Sequence, residues 1–277
     1  MLYLGCHLSA SDGYAAMVKT AESIGANTFA FFTRNPRGSR AKAENPADAE
    51  QAVHLLREGG FGKLVAHGAY TMNLCGADAD ARAFAAGVLA DDLRRMAALP
   101  GNLYNFHPGS HVKQGVEAGV EQIGRALRAA LEPGYPVQVC LETMAGKGTE
   151  VGGNFREIRM ILDAVGSREV GVCLDTCHVY DGGYDLVRNL DGVLETFDRE
   201  IGLDRLWALH LNDSKNPFGS HKDRHEKIGQ GSLGVEAFRA IVNHPVLHGL
   251  PMILETPNDL PGYAREIALL RGMEKQI

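Results

Sequence analysis

The sequence predicts an α/β protein whose eight parallel strands close into one (β/α)8 barrel, a TIM barrel. Three observations favour this fold. Short β-rich apolar runs alternate with longer amphipathic stretches, which is typical of parallel βαβ units. Neighbouring runs begin about 25–45 residues apart, the length of one βα unit in such a barrel. The length of 277 residues suits one barrel of about 250 residues, and we expect 1–277 to form a single domain.

The candidate strands are runs rich in β-branched, aromatic and other apolar residues. In chain order they cover 2–7, 28–32, 63–67, 103–107, 137–142, 170–175, 206–210 and 252–255. Stretches rich in Ala, Leu and Arg, such as 79–99 and 116–131, lie between them. The second stretch has apolar residues at helical spacing, which predicts an amphipathic helix. These residues are Val116, Val120, Ile123, Leu127 and Leu131.

The composition excludes several classes of protein. Apolar residues make up 45% and charged residues 22% of the chain, which argues against global disorder. No run approaches the ~18 consecutive apolar residues of a membrane helix, and the first residues lack the pattern of a secretory signal. The five cysteines lie in or beside apolar runs, which indicates reduced, buried thiols of a cytoplasmic protein. The net charge of −6 does not by itself favour nucleic-acid binding, because phosphate contacts dominate that affinity.

Metal-capable residues end six of the apolar runs. They are His67, His107, Glu142, Asp175, His210 and Glu255. The carboxyl ends of the strands meet on one face of a barrel, where such enzymes place their chemistry. Burying carboxylates and imidazoles together is costly without compensation, because like charges repel and desolvated ions are unfavourable. Any one of these residues could simply mark a polar rim, but the whole set predicts a metal site on the C-terminal face.

Three further residues extend the set. His178 follows Asp175 by three positions, just past the strand end. Asp223 and His225 stand two residues apart in a long loop, and such residues point to the same side of an extended backbone. The set then contains five histidines and four carboxylates, a mixture that favours zinc over manganese or iron. At about three or four ligands per ion, with one carboxylate shared, they would serve about three metals.

Three other histidines are candidates for weaker roles. His7 ends the first strand and could support a ligand from behind. His111, in the segment HPGSH, could contact phosphate or play the same supporting role, and so could His221.

Six segments carry a resemblance to a known family. They are HGAYTMNL (67–74), NFHPGSH (105–111), VCLDTCH (172–178), HLNDSK (210–215), DRHEKIGQG (223–231) and LETP (254–257). Together they resemble the endonuclease IV family of abasic-site (AP) endonucleases. The similarity runs from GCHLSA at 5–10 to GYAREIALL at 262–270. The order of VCLDTCH, HLNDSK and the D-x-H pair, which is Asp223 and His225, is highly specific for this family.

The resemblance implies a xylose isomerase-like barrel that holds about three zinc ions at the strand ends, with manganese as an alternative occupant of one site. Glu142 would be the catalytic residue, a carboxylate that bridges the first two ions and positions the attacking hydroxide. The other implied ligands are His67 and His107 for the first ion, Asp175, His210 and Glu255 for the second, and His178, Asp223 and His225 for the third.

The implied reaction is hydrolysis of the phosphodiester bond 5′ to an abasic site, leaving a 3′-hydroxyl and a 5′-deoxyribose phosphate. The same site would trim blocked 3′ ends as a phosphatase or phosphodiesterase. The partner would be double-stranded DNA that contains such lesions, with no role for a membrane. We further expect a monomer, since no exposed apolar stripe demands a partner, and a cytoplasmic protein of bacterial type that is associated with the nucleoid when it acts.

Arg37 and Tyr70 match family positions that enter the duplex near the lesion. Basic residues also cluster in two predicted rim loops, which could contact DNA or be solvated surface. These clusters are Arg34, Arg37, Arg40 and Lys42, and Lys215, Lys222, Arg224 and Lys227. The chain departs from the family pattern at Met72, at Thr143, where Asn is frequent, and at Gly38-Ser39, where some members have a bulky aromatic residue. None of these departures removes a ligand.

Two alternatives remain open. One is a sugar or sugar-acid isomerase or epimerase on the related xylose isomerase-like barrel, which would hold a single metal ion. Its ligand set would be Glu142, Asp175, His210 and Glu255. Such enzymes have no use for the additional histidines and the D-x-H pair. The other alternative is a zinc-stabilised protein that binds damaged DNA without cleaving it.

Overall fold

A computed structural model describes residues 1–38 and 40–275, and its parallel strands form a closed barrel. The strands are β1 (Tyr3–Leu8), β2 (Ala30–Phe32), β3 (Val65–His67), β4 (Leu103–Phe106), β5 (Gln138–Glu142), β6 (Val170–Asp175), β7 (Leu206–Leu211), β8 (Asp213–Ser214), β9 (His225–Glu226) and β10 (Pro251–Leu254). The barrel order is β1-β10-β7-β6-β5-β4-β3-β2, whereas β8 and β9 pair antiparallel outside it.

Helices follow the barrel strands and, apart from the buried six-residue α6 beside the strand ends, cover the outside of the barrel. They are α1 (Tyr14–Ser23), α2 (Pro46–Glu58), α3 (Ala79–Met96), α4 (Val116–Leu131), α5 (Phe155–Val165), α6 (Thr176–Asp181), α7 (Leu190–Glu200), α8 (Val235–Val242) and α9 (Leu260–Arg271). Short 3-10 turns cover Ala10–Asp12 and Leu203–Arg205. Asn and Asp side chains cap several helix N-termini, as Asn45 does for α2 and Asp78 for α3, because their oxygens accept otherwise unpaired backbone N–H groups.

The predicted barrel is confirmed, with small differences at the element ends. The helix predicted over 116–131 has those bounds as α4, whereas the 79–99 stretch ends its helix at Met96. Strand β4 ends at Phe106 and β10 at Leu254, so His107 and Glu255 lie one residue past their strands. Helices α4 and α5 pack closely at Gly124, where an added Cβ would lie 2.8 Å from the Cβ of Ala164.

The buried apolar residues form two clusters. The larger cluster lies between the strands and the helices, and includes Ile123 and Leu127 of α4 and Ile158 of α5. The smaller cluster takes one residue from each of seven barrel strands, which places it inside the barrel. We call it the inner ring: Ala30, Val65, Leu103, Cys140, Cys173, Ala208 and Ile253. Within the described residues, no helix combines the length and apolar character needed to cross a membrane.

Candidate metal centre

The candidate site is the layer of side chains immediately above the inner ring. Side chains two residues apart on a strand point to the same side. The residue two positions after each member of the inner ring therefore also points into the barrel, nearer to the carboxyl end of its strand. That layer consists of Phe32, His67, Asn105, Glu142, Asp175, His210 and Glu255. Strand periodicity therefore directs five of the sequence-predicted residues into the barrel at the carboxyl ends of the strands.

Glu142 stands at the centre of this layer, and its side chain is fully buried. Nε2 of His67 lies 3.2 Å from its Oε2. Its other oxygen, Oε1, lies 3.4 Å from Nε2 of His107, 3.3 Å from Nδ1 of His178 and 3.4 Å from Nδ1 of His210. Four imidazoles from four segments of the chain thus surround a single carboxylate.

The candidate ligands form five overlapping groups in the structure, and within each group the ligand atoms lie within 4.8 Å of one another. One of them joins His67, His210 and Glu255, and three others together contain all nine candidate ligands. These three groups are His67, His107 and Glu142; Glu142, Asp175, His210 and Glu255; and His178, Asp223 and His225. Glu142 belongs to the first two groups, which makes it the carboxylate that they share. Cys177, which the sequence indicated only as a buried thiol, also lies close to Asp175 and His225.

Two histidines of the site are oriented for binding a cation. Nδ1 of His67 is 2.7 Å from the carbonyl oxygen of Gly68, and Nδ1 of His178 is 2.8 Å from that of Thr143. A carbonyl oxygen only accepts hydrogen bonds, so each Nδ1 carries a proton and each Nε2 is the nitrogen left to face the other groups of the site. Backbone hydrogen bonds of this kind fix the tautomer and the ring direction in metal-binding histidines.

Several buried polar atoms of the site have no hydrogen-bond partner among the described residues. These atoms are Oε1 of Glu142, Nδ1 and Nε2 of His210, Nε2 of His225 and Oε1 of Glu255. Buried polar groups are almost always paired, and an unpaired one is costly. Because unpaired nitrogen and oxygen lone pairs face one another here, the residues present fit divalent cations.

The electrostatics of the site favour the ionised forms of Glu142 and Asp223. Burial alone would raise the pKa of Glu142, but the imidazoles of His107 and His210 hold it well below the usual value. Burial likewise opposes the pKa shift of Asp223, which the hydrogen bond and charge of His178 bring down to about 2. Burial would lower the pKa of His178, and the neighbouring carboxylates raise it instead. Protons and cations are therefore alternative ways to neutralise the same carboxylates.

Asparagine side chains behind the ligands were missed by the sequence analysis. Nδ2 of Asn212 donates to Oδ2 of Asp175 at 2.7 Å, while its Oδ1 accepts from the N–H of Glu255 at 2.9 Å. Asn105 donates to Oε2 of Glu142. Asn105 and Asn212 stand two residues from His107 and His210, so the strand period was the signal that could have found them.

Two buried aspartates shape the loop that carries the D-x-H pair. The carboxylate of Asp213 accepts hydrogen bonds from five backbone N–H groups, at distances from 2.8 to 3.3 Å. The donors are Ser214, Gly229, Gly231, Leu233 and Gly234. Oδ2 of Asp181 accepts from the N–H of Asp223 at 3.0 Å, which holds Asp223 in a left-handed conformation with φ of 54°.

Of the two residues predicted to enter DNA, Tyr70 lies at the rim of the site and Arg37 lies on a loop bonded to the segment of Tyr70. Tyr70 is 59% exposed, and its ring centre is 5.9 Å from that of His107. It lines an open cavity together with His107, His178 and Asp223. The backbone N–H of Tyr70 donates to the carbonyl of Pro36 at 3.1 Å. This bond joins the segment of Tyr70 to the loop that carries the exposed Arg37.

The histidines with weaker predicted roles have different surroundings in the structure. His7 packs against the site, with its ring centre 4.4 Å from that of Phe32 and Nε2 3.7 Å from Oε1 of Glu255. Burial lowers the pKa of His7 to about 4, so its ring is neutral near pH 7. His111 instead accepts from the N–H of Gly115 through Nδ1 at 3.1 Å.

The basic clusters are only partly available to a ligand. Arg37, Arg40 and Lys42 are exposed, and so are Lys215, Lys222 and Arg224, whereas Lys227 is half-buried. The expectation for Arg34 as a rim cation is wrong, because its side chain is 6% exposed and paired with two aspartates. Of the departures noted in the sequence, Ser39 lies outside the described residues, and the hydroxyl of Thr143 accepts from the N–H of Asp175 at 3.0 Å.

Comparison with known proteins identifies the fold and the family of the chain. Residues 18–273 match the family model of xylose isomerase-like TIM barrels. A probable endonuclease 4 of Alkaliphilus oremlandii (strain OhILAs) is 60% identical over 272 residues, which cover 98% of this chain and 97% of that relative. The crystal structure of endonuclease IV from Thermus thermophilus has a TM-score of 0.86 and 36% identity, and covers 98% of each chain. A D-tagatose 3-epimerase-like protein, with a TM-score of 0.71 and 17% identity over 99% of this chain and 97% of its own, shows the fold alone.

Fold and site together define an enzyme of the xylose isomerase-like TIM-barrel class with candidate metal-binding clusters. Within that class, the identity to curated relatives extends over nearly the full length of both chains. The chain belongs to the endonuclease 4 family, and it is a nuclease.

Proposed function

We propose that this nuclease hydrolyses the phosphodiester bond on the 5′ side of an abasic site in double-stranded DNA. The products would be a 3′-hydroxyl and a 5′-deoxyribose phosphate. The observation that carries the proposal is the position of Glu142, which is shared by two candidate metal groups and surrounded by four imidazoles. A shared carboxylate of this kind suits catalysis by neighbouring metal ions.

The site would hold about three zinc ions, since mixed imidazole and carboxylate ligands in groups of three or four favour zinc. Manganese is an alternative occupant of one site. The three groups described above supply the ligands, with Glu142 shared by the first two. When bound, such ions lower the pKa of water to about 7 and offset the negative charge that develops on a phosphate under attack.

The residues of the chain have distinct tasks in this proposal. Ionised Glu142 provides a buried negative charge that keeps the first two groups together. The backbone carbonyls of Gly68 and Thr143 orient His67 and His178, and Asn212 orients Asp175. Such preorganisation matters because the reacting phosphate must meet its partners in one geometry. The same groups would accept a blocked 3′ end, so we infer that the enzyme also trims 3′ phosphates and sugar fragments.

Lesion recognition would use Arg37 and Tyr70. Both are exposed, Tyr70 lines the cavity, and the Pro36–Tyr70 hydrogen bond links the segments that carry them. An inserted side chain replaces lost stacking when an abasic nucleotide leaves the helix, and that extrusion is easiest where no base pair must be broken. The exposed cations Arg40, Lys42 and Lys222 would add phosphate contacts. We further propose that 1–277 is one domain that acts as a monomer.

Cytoplasmic location at the nucleoid is part of the same proposal. It is supported by the five cysteines, which are all buried and unpaired, as is typical of proteins in reducing compartments.

The experiment is incubation of the purified protein with a duplex that contains one abasic site and with the undamaged duplex of the same sequence. Nicking of the abasic duplex alone is expected. A single-metal isomerase would use the group Glu142, Asp175, His210 and Glu255 and leave both duplexes intact while converting a sugar. A protein that only binds damage would retain the abasic duplex without cutting it.

A further inference from the structure

Arg34 anchors the start of the loop that connects β2 to α2, of which the structure describes residues 33–38 and 40–45. We call it the 33–45 loop. The Nε and Nη2 atoms of Arg34 donate to Oδ1 of Asp92 at 2.8 and 2.7 Å, and Nη2 also donates to Oδ2 of Asp91 at 2.8 Å. Both aspartates belong to α3. The side chain of Asp92 is 0% exposed, so this contact is protected from water, where charge-assisted hydrogen bonds are strongest.

The second oxygen of Asp92 is also used. The hydroxyl of Tyr104 on β4 donates to Oδ2 of Asp92 at 2.8 Å, and Tyr104 is itself buried. A single carboxylate therefore joins a barrel strand, a helix and the beginning of the 33–45 loop. Both of its oxygens have specific donors, which fixes its rotamer and with it the position of Arg34.

Helix α3 also holds the end of the same loop. Nη1 of Arg95 donates to the carbonyl of Lys42 at 2.8 Å, and Nη2 of Arg94 lies 3.0 Å from Oε1 of Glu44. The Arg94–Glu44 pair is exposed to solvent, so it contributes less than the buried Asp92 contacts. The loop is thus held at both ends by the last two turns of one helix.

The tip of the loop is connected to the site. The N–H of Asn35 donates to the carbonyl of Arg40 at 3.1 Å, and its Oδ1 accepts from the N–H of Arg37 at 3.0 Å. The Pro36–Tyr70 hydrogen bond then reaches the segment after β3. The sulfur of Met72 in that segment lies 3.9 Å from the hydroxyl of Tyr104. The same tyrosine therefore touches both Asp92 and the segment of Tyr70.

We propose that Asp92 is a positioning residue for lesion recognition. Through Arg34 and Tyr104 it sets the placement of the loop that carries Arg37, and through the Pro36–Tyr70 bond it sets that of Tyr70. This inference rests on the proposed function of Arg37 and Tyr70, although Asp92 itself would touch neither DNA nor the metal ligands. Preorganising both loops spares the ordering cost that binding would otherwise include.

The test compares Asp92→Asn and Tyr104→Phe with the unchanged enzyme in its full-length, zinc-loaded form. Tyr104→Phe removes only one hydroxyl, and it takes the place of Asp92→Asn as the test variant if Asp92→Asn folds poorly. Asp163→Asn is the matched control, since it neutralises an exposed aspartate that pairs with Arg159 on α5. Two readouts are taken: the rate of tryptic cleavage after Arg37 and Arg40, located by mass spectrometry, and the split between KM and kcat on an abasic duplex.

Loss of the buried contact should raise the population of open loop, and proteolysis follows that population. Cleavage in the loop should accelerate about tenfold, and KM for the abasic duplex should rise by a similar factor while kcat changes little. Cleavage at the rate of Asp163→Asn, or a fall in kcat without a change in KM, would overturn the proposal. Proteolysis is measured without DNA, so it tests the positioning role of Asp92 independently of the proposed function. If the unchanged enzyme left abasic DNA intact, the proposed function would fail while the proteolysis result still decided the role of Asp92.

Discussion

Nε2 of His67 lies 3.2 Å from Oε2 of Glu142, although 75 positions separate the two residues in the chain. His67 ends β3 and Glu142 ends β5. Each stands two residues beyond a member of the inner ring, Val65 and Cys140. The contact therefore follows from strand periodicity and barrel closure, and it places a carboxylate and an imidazole where a shared cation would join them.

Substitution of Glu142 tests its role as the shared carboxylate. Glu142→Gln keeps the shape of the side chain but removes the charge that would hold two metal groups together. We expect turnover on an abasic duplex to fall by several orders of magnitude, with affinity for that duplex retained, because rim residues would contact the DNA. Glu121→Gln, at an exposed residue of α4, is the control. Near-normal cleavage by Glu142→Gln would refute the assigned role.

Metal content distinguishes the three-group site from a single-metal isomerase. Elemental analysis of protein purified without added metal should give about three zinc ions per chain. Chelation should remove them and lower the thermal unfolding temperature, because a ligand that binds only the folded state stabilises it. A content near one would favour the isomerase, whose ligands are confined to the second group.

Arg37 and Tyr70 should affect recognition without affecting the metal site. Replacing both with Ala should leave zinc content and folding intact. Stacking contributes about 1–3 kcal/mol per base contact, so affinity for an abasic duplex should fall roughly ten- to hundredfold. Affinity for undamaged duplex should fall less, since phosphate contacts supply that binding. The affinities for both duplexes are measured at one fixed salt concentration. An equal loss of affinity for both would show that these residues are general contacts to the DNA backbone.

Asp213 should affect metal binding by the third candidate group, His178, Asp223 and His225, although it is not one of the ligands. Its carboxylate organises the backbone after the D-x-H pair, and Asp213→Asn would replace one acceptor oxygen with a donor. A hydrogen bond to a charged group contributes about 1.5–3 kcal/mol, so we expect a stability loss on the order of 3 kcal/mol in urea titrations. Zinc content should fall by about one ion. Unchanged stability and zinc content, as expected for the control Asp163→Asn, would contradict this role.

Sequence periodicity was sufficient to predict the barrel, because its strands and amphipathic helices each bury a regular pattern of apolar residues. Six of the metal-capable residues were visible for the same reason, since each lies at or just past the end of a barrel strand, whereas His178, Asp223 and His225 were visible from their spacing in the sequence. Arg34 was placed wrongly because charge alone does not reveal a buried partner, and its partner Asp92 is 58 positions away. Asp213 was missed because its role depends on the path of a loop backbone, which no residue pattern specifies.

Identification of the ends produced from an end-labelled duplex with one abasic site is the decisive measurement of the proposed reaction. We expect a single nick on the 5′ side of the lesion, a 3′-hydroxyl that a polymerase can extend, and a 5′-deoxyribose phosphate on the other fragment. Prior removal of the metal should abolish the nick, and zinc should restore it. A cut on the 3′ side that leaves an unsaturated sugar, or cleavage that survives complete metal removal, would refute metal-dependent hydrolysis on the 5′ side.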